Sequence, residues 1–179
     1  MARLKDRRVL IMATDGFEES ELFGPRSLLM ADGAEVVLAS PTLTPIQATV
    51  MDDPGRTIRP DLMISSARAS DYDALILPGG VRNPDSLRRD KQAIELIRAF
   101  HGARKPVASI CHGPWLLAEA DIVRGRTIAC WPSIATDLRN AGAIVVDQEA
   151  VTDGNIITSR NPDDVPAFTE ALTQLLLAK

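Results

Sequence analysis

The sequence predicts an α/β fold, a doubly wound and mostly parallel sheet sandwiched by helices. Three observations carry this. Short apolar runs of four or five residues alternate with longer amphipathic stretches, as repeated β–α units require. The runs are continuously apolar, as strands buried on both faces are. Glycine and proline fall where the runs and stretches end, at Asp32-Gly33, Ser40-Pro41 and Pro78-Gly79-Gly80.

The elements follow in order. Val9 to Ala13 reads as a buried first strand, followed by a helix from about Glu18 to Met30 that stops at Gly33. Val36 to Ala39 is the second strand. The stretch Thr42 to Asp61 reads as irregular, because Pro45, Pro54, Gly55 and Pro60 break any period. Asp73 to Leu77 is a buried strand running into Pro78-Gly79-Gly80, followed by a helix over Lys91 to Phe100 and a strand over Val107 to Ile110. A helix is expected from just after Cys111 to about Ala120. Ile128 to Cys130 and Ile144 to Val146 read as short strands, separated by a helix that starts near Ser133. Asp153-Gly154 joins two β-rich runs, Glu149 to Thr152 and Asn155 to Thr158, as a hairpin. The last helix follows Asn161-Pro162-Asp163-Asp164, whose carboxylates suit a helix start. The 179 residues are read as one domain, 1–179, with no internal repeat.

Composition excludes several function classes. A net charge of −4 without a basic run favours neither nucleic acid nor anionic membrane. No apolar segment follows Met1 to Arg8 at signal-peptide length, and none approaches the roughly 18 residues of a membrane span. A soluble, cytoplasmic protein is expected. In that compartment the two cysteines, Cys111 and Cys130, are expected to stay reduced. Two cysteines and two histidines, His101 and His112, do not form a zinc ligand set, so no metal is expected. Aromatics at 4% argue against a flavin-stacking site, and no cofactor is expected.

Ligands in open α/β sheets bind beyond the carboxyl ends of the strands. Three such ends are unusual here: Asp15-Gly16-Phe17-Glu18-Glu19, Pro78-Gly79-Gly80 and Cys111-His112-Gly113-Pro114. In the third, a buried strand passes to a helix across one nucleophilic residue, which is the pattern of a nucleophile elbow, with Ser109 in place of the first glycine. A free cysteine is ordinarily a small buried hydrophobe. The turn and the helix start instead favour a reactive Cys111 with a lowered pKa. Cys130 lacks that setting and reads as core. Gly79 and Gly80 let backbone N–H groups approach a ligand, and with the N–H of His112 they are expected to form an oxyanion hole. Glu18, Glu19 and Glu21 open the first helix, where carboxylates complement the macrodipole. One of them facing the elbow would hydrogen-bond the cysteine or move protons, and spacing does not say which. His112, next to the nucleophile, is expected to point away from it. His101 reads as a helix C-terminal dipole partner.

Taken together, Ala108-Ser109-Ile110-Cys111-His112-Gly113-Pro114, Leu77-Pro78-Gly79-Gly80 and Asp15-Gly16-Phe17-Glu18-Glu19-Ser20-Glu21-Leu22 resemble the ThiJ/PfpI family. That family belongs to the class I glutamine amidotransferase-like superfamily. Trp131-Pro132-Ser133-Ile134 and Asp153-Gly154-Asn155 extend the resemblance over nearly the whole chain. It implies a flavodoxin-like sandwich, with Glu18 as the carboxyl that hydrogen-bonds the cysteine and Gly80 and His112 as oxyanion donors. It also implies that Asp85, in Asn83-Pro84-Asp85, reaches His112 of a neighbouring subunit in a homo-oligomer, a dimer or hexamer. The Asn-Pro-Asp run is similar to that of the bacterial general-stress branch. Thr42 to Asp61 departs from the family pattern and is expected to border the pocket, which leaves substrate preference open.

Three functions are open for these residues, the first two as the resemblance implies. The first is a stress-protection enzyme of the glyoxalase or deglycase type, acting on α-oxoaldehydes or their adducts through Cys111. The second is an intracellular cysteine peptidase using His112 and Asp85. The third is a redox-sensing or chaperone-like protein working through Cys111 oxidation. A glutamine amidotransferase is excluded because no histidine follows His112.

Overall fold

The computed structural model describes residues 2–178. In chain order its elements are β1 (Arg8–Met12), β2 (Phe17–Glu18), α1 (Glu19–Ala31), β3 (Glu35–Ser40), β4 (Ile46–Val50) and β5 (Asp53–Ile58). Then come β6 (Leu62–Met63), β7 (Ala74–Leu77), α2 (Arg82–Leu87), α3 (Lys91–Gly102), β8 (Val107–Ile110) and α4 (Pro114–Glu119). The chain continues through β9 (Thr127–Ile128), α5 (Ala135–Asn140), β10 (Ile144–Val145), β11 (Val151–Asp153), β12 (Ile156–Ser159) and α6 (Val165–Leu177).

Seven strands form the central sheet in the order β11-β12-β8-β7-β1-β3-β6. All neighbours run parallel except the β11–β12 hairpin. Strand alternation divides the core into two layers. Val9, Ile11, Ala74, Ile76, Ala108 and Ile110 pack with Leu22 and Leu29 of α1 and Phe168 and Leu172 of α6. Leu10, Met12, Leu75, Leu77 and Val107 pack on the opposite face with Ile97 and Phe100 of α3 and Leu116 of α4. Burying each of the larger side chains among these contributes roughly 1.5–3 kcal/mol, so two full layers hold the sheet. The chain leaves β1 for β3 on one side and reaches β7 on the other. The crevice of this topological switch therefore opens at the carboxyl ends of β1 and β7, with β8 beside them.

Two stretches differ from the sequence reading. Thr42 to Asp61 is not irregular, since β4 and β5 form an antiparallel hairpin there, with β2 parallel to β4. Pro54 lies within β5 at the outer edge of this three-stranded sheet, where a missing N–H costs no ladder bond. The exposed pattern of β5 and a register shift between Gln47 and Thr49 hide the strands from a periodicity search. Short strands β9 and β10 pair parallel with each other rather than joining the main sheet, and Cys130 lies beyond the end of β9.

Fully buried Asn83 ties the two sides of the crevice together. Its Nδ2 donates to the carbonyls of Pro78 at 3.0 Å and Gly79 at 3.1 Å, and its Oδ1 accepts from the Thr14 N–H at 2.8 Å. Asn83→Ala strands these buried groups, so a loss of about 2–4 kcal/mol is expected. The check is a lower urea midpoint at unchanged m-value.

Candidate active site

Cys111 follows the last residue of β8, and its backbone is in the left-handed region at φ 63°. For a non-glycine residue that conformation costs about 1–2 kcal/mol, and it lifts the side chain out of the sheet. The Cys111 N–H donates to the Ser159 carbonyl at 3.0 Å, and its carbonyl accepts the Trp131 N–H at 2.8 Å. Gly113 permits the turn, because a Cβ there would stand 2.6 Å from both the Leu77 carbonyl oxygen and Ser109 Oγ. The elbow read from sequence is thus present, with Cys111 buried at 6% exposure.

The carboxyl against the thiol belongs to Glu21, not Glu18. Glu21 lies one turn into α1 and is fully buried. Its Oε2 accepts the Gly79 N–H at 2.8 Å, and the side chain interacts with Cys111 by charge and by hydrogen bond. Glu18 instead sits in β2, paired with Thr49 of β4, and its carboxyl accepts the Met51 N–H at 3.1 Å. Both glutamates border the crevice, but only Glu21 addresses the sulfur. Burial pushes the Glu21 carboxyl up to about 8, against the opposing pull of the Gly79 N–H. Glu18 is also raised, by burial first.

The thiol is pushed up rather than down. Burial is the main cause, with the Glu21 charge and hydrogen bond next, while the His112 and Gly80 N–H groups pull the other way. The expected lowering is not found because burial and the Glu21 carboxyl outweigh the two N–H groups. Two acids in contact cannot both ionise cheaply, so a thiolate here requires Glu21 to hold the proton.

The backbone N–H groups of Gly80 and His112 are directed at the Cys111 sulfur, so an oxygen on a carbon bonded to that sulfur would be within their reach. Gly79 is not an oxyanion donor, since its N–H is already given to Glu21. What Gly79 supplies is space: a Cβ there would lie 2.7 Å from Cys111 Cβ and 2.5 Å from Glu21 Oε2. Gly80 has φ +74°, a conformation that L side chains rarely adopt.

His112 does not point away from the nucleophile. Its Nδ1 lies 3.3 Å from Cys111 Sγ, because the left-handed backbone at Cys111 breaks strand alternation. The ring is packed between Trp115 and Trp131, with centroids at 5.3 and 5.8 Å, and burial lowers its pKa. Asp85 lies on exposed α2 surface, and its side chain has no hydrogen bond or ion pair among the described residues. Cys130 is buried in the opposite core layer, and burial pushes its thiol up to about 11. His101, near the end of α3, is away from the crevice.

The crevice has a volume of about 320 Å³. Met51, Asp52, Val81, Trp131, Ser133 and Pro162 complete its walls. Met51 and Asp52 arrive on the β4–β5 turn, which periodicity could not find. Trp131 carried a signal in its Trp-Pro-Ser run, although no role was read from it. Among the described residues, no group of three or more His, Cys, Asp or Glu side chains is placed to hold a metal, and no helix is long and apolar enough to cross a membrane.

A sequence profile described as the DJ-1/PfpI family matches residues 7–175. A Pyrococcus abyssi protein named a deglycase is 40% identical over 169 residues, covering 94% of this chain and 99% of its own. General stress protein 18 of Bacillus subtilis is 37% identical over 180 residues, covering 95% of this chain and 98% of its own. A solved two-domain protein of Anabaena variabilis, with DJ-1/ThiJ/PfpI-like and ferritin-like domains, superposes with a TM-score of 0.91 at 32% identity. That superposition covers 96% of this chain and 48% of the Anabaena chain.

Proposed function

This chain belongs to the DJ-1/PfpI family, and from that premise we propose that it is a cysteine-dependent enzyme consuming α-oxoaldehydes or their adducts, of the glyoxalase or deglycase type. The observation that carries the reading is the Cys111–Glu21 pair beneath two N–H donors at a topological switch point. In the proposed reaction the Cys111 thiolate adds to the aldehyde carbon. The carbonyl π pair moves onto oxygen, where the N–H groups of Gly80 and His112 hold it. Glu21, protonated while the thiolate forms, delivers a proton to that oxygen. As carboxylate it then takes the C–H proton from the former aldehyde carbon and returns it to the neighbouring ketone carbon, while the hydroxyl proton on the sulfur-bearing carbon passes to the former ketone oxygen and that carbon becomes the thioester carbonyl. The resulting thioester reacts with water, releasing a 2-hydroxy acid and regenerating the thiol. Relatives named deglycases support chemistry of this class.

His112 is neutral in this reading and positions the sulfur through Nδ1. Asp85 from a second copy would face the other ring nitrogen in a homo-oligomer. The same residues would serve a peptidase. The test therefore offers purified protein methylglyoxal, glyoxal and a denatured protein side by side. Loss of the α-oxoaldehydes with accumulation of the 2-hydroxy acid is expected. Cleavage of the denatured protein without aldehyde loss would overturn the reading. Peroxide modification of Cys111 as the sole measurable activity would overturn it in favour of a redox role.

A further inference from the structure

The crevice over Cys111 carries acidic groups without cations. Glu18, Glu21 and Asp52 line it, and among the described residues no lysine or arginine does. Of the arginines on flanking segments, Arg56 pairs with Glu19 at 2.9 Å and Arg160 with Asp147 at 2.7 Å and Asp164 at 2.9 Å, while exposed Arg82, which follows Val81, packs against Gly16 and is not part of the lining. Glu18 accepts one backbone N–H, from Met51, and forms no ion pair among the described residues. Asp52, exposed at the mouth, forms none either. Deeper in, Glu21 has no exposure, and its Oε1 is left without a nitrogen or oxygen partner. Trp131 adds an aromatic wall of the kind that attracts cationic nitrogen. His112, its pKa lowered by burial, supplies no compensating positive charge near neutral pH.

We infer that the crevice selects by charge: Glu18 and Asp52 favour carbonyl substrates that carry a positively charged nitrogen beside the reacting group, and disfavour anionic ones. The inference deepens the proposed function and rests on Cys111 being the attacking group. Its chemistry is that of an ammonium or guanidinium seated between carboxylates, buried Glu18 on one side and exposed Asp52 on the other, where charge interactions with the buried group exceed those in water. Anionic carbonyl compounds, carboxylates and phosphate esters among them, meet repulsion at the same place.

The test reads charge at Cys111 without requiring turnover. Methanethiosulfonate reagents with a trimethylammonium or a sulfonate tail each transfer their thioalkyl group to the thiolate. A disulfide forms and methanesulfinate leaves, so the step balances without another reactant. Rates are followed by mass at Cys111 in low salt, and each is divided by the reagent's rate with 2-mercaptoethanol. The normalised preference for the cation is expected to be at least about tenfold in the unaltered chain. It is expected to fall severalfold in Asp52→Asn, to fall further in Asp52→Lys, and to shrink on adding salt. Equal normalised rates, or a preference that Asp52→Lys does not move, would overturn the inference. Phenylglyoxal and its para-trimethylammonium and para-carboxylate derivatives then separate the two claims. Charge preference at the thiol without consumption of any of the three defeats the proposed function alone. Equal consumption of all three defeats charge selection alone.

Discussion

Replacing Cys111 with alanine is expected to reduce α-oxoaldehyde consumption at least about 10³-fold, because the step that forms the carbon–sulfur bond disappears. Cys111→Ser is expected to be nearly as inactive, since a buried hydroxyl facing Glu21 lacks both the acidity and the softness of a thiol. Neither change removes the β8–α4 elbow, whose shape depends on Gly113 and on the backbone bonds to Ser159 and Trp131. Far-ultraviolet circular dichroism should therefore stay as it is while the rate is lost. A Cys111→Ala protein that still consumes methylglyoxal at more than a few per cent of the original rate would show that another group attacks.

Stability is expected to fall as pH rises between about 4.5 and about 8, and Glu21 is the reason. Its carboxyl has an ordinary value of 4.5 and is raised to about 8 by burial in the folded chain. Between those values the folded state keeps a proton that the unfolded state has released, so stability declines with pH over that window. Below 4.5 both states hold the proton and the contribution is complete; above about 8 it is lost. Burial raises Glu18 as well, which adds in the same direction. Glu21→Gln keeps the size and an acceptor for the Gly79 N–H but does not titrate. Melting temperatures across pH 4 to 9 should slope downward in the unaltered chain and flatten in Glu21→Gln. An unchanged slope in the variant would mean that Glu21 is not the group holding the proton.

Much of the fold was legible because its strands are short, continuously apolar and closed by turn residues. Val9 to Ala13, Asp73 to Leu77 and Val107 to Ile110 each fall within a residue of a strand end seen in the structure. The nucleophile was legible for a related reason: a buried strand running into Cys-His-Gly-Pro leaves few other conformations. The carboxyl was not. Glu18 and Glu21 are three apart at one helix start, so helical spacing sets them on one face and does not choose between them. The resemblance then favoured Glu18. What separates them is β2, which holds the Glu18 backbone against Thr49 and its carboxyl against Met51. That strand exists only because β4 and β5 form a hairpin, and Pro54 and Gly55 disguise the hairpin as a loop. Without that hairpin, nothing in the spacing separates the two glutamates. The direction of the His112 ring was hidden for a different reason, since a left-handed non-glycine residue overrides the alternation from which it was inferred.

The Cys111–Glu21 couple is tested most directly by methylglyoxal consumption in Glu21→Gln and Glu18→Gln, measured beside the unaltered chain from pH 5 to 10. Glu21→Gln is expected to lose at least about 10²-fold in kcat/KM, the scale of a lost proton-transfer group. Glu18→Gln is expected to stay within about tenfold, because its carboxyl borders the crevice and does not reach the sulfur. The reverse order, with Glu18→Gln inactive and Glu21→Gln near the original rate, would contradict the assignment of the proton to Glu21.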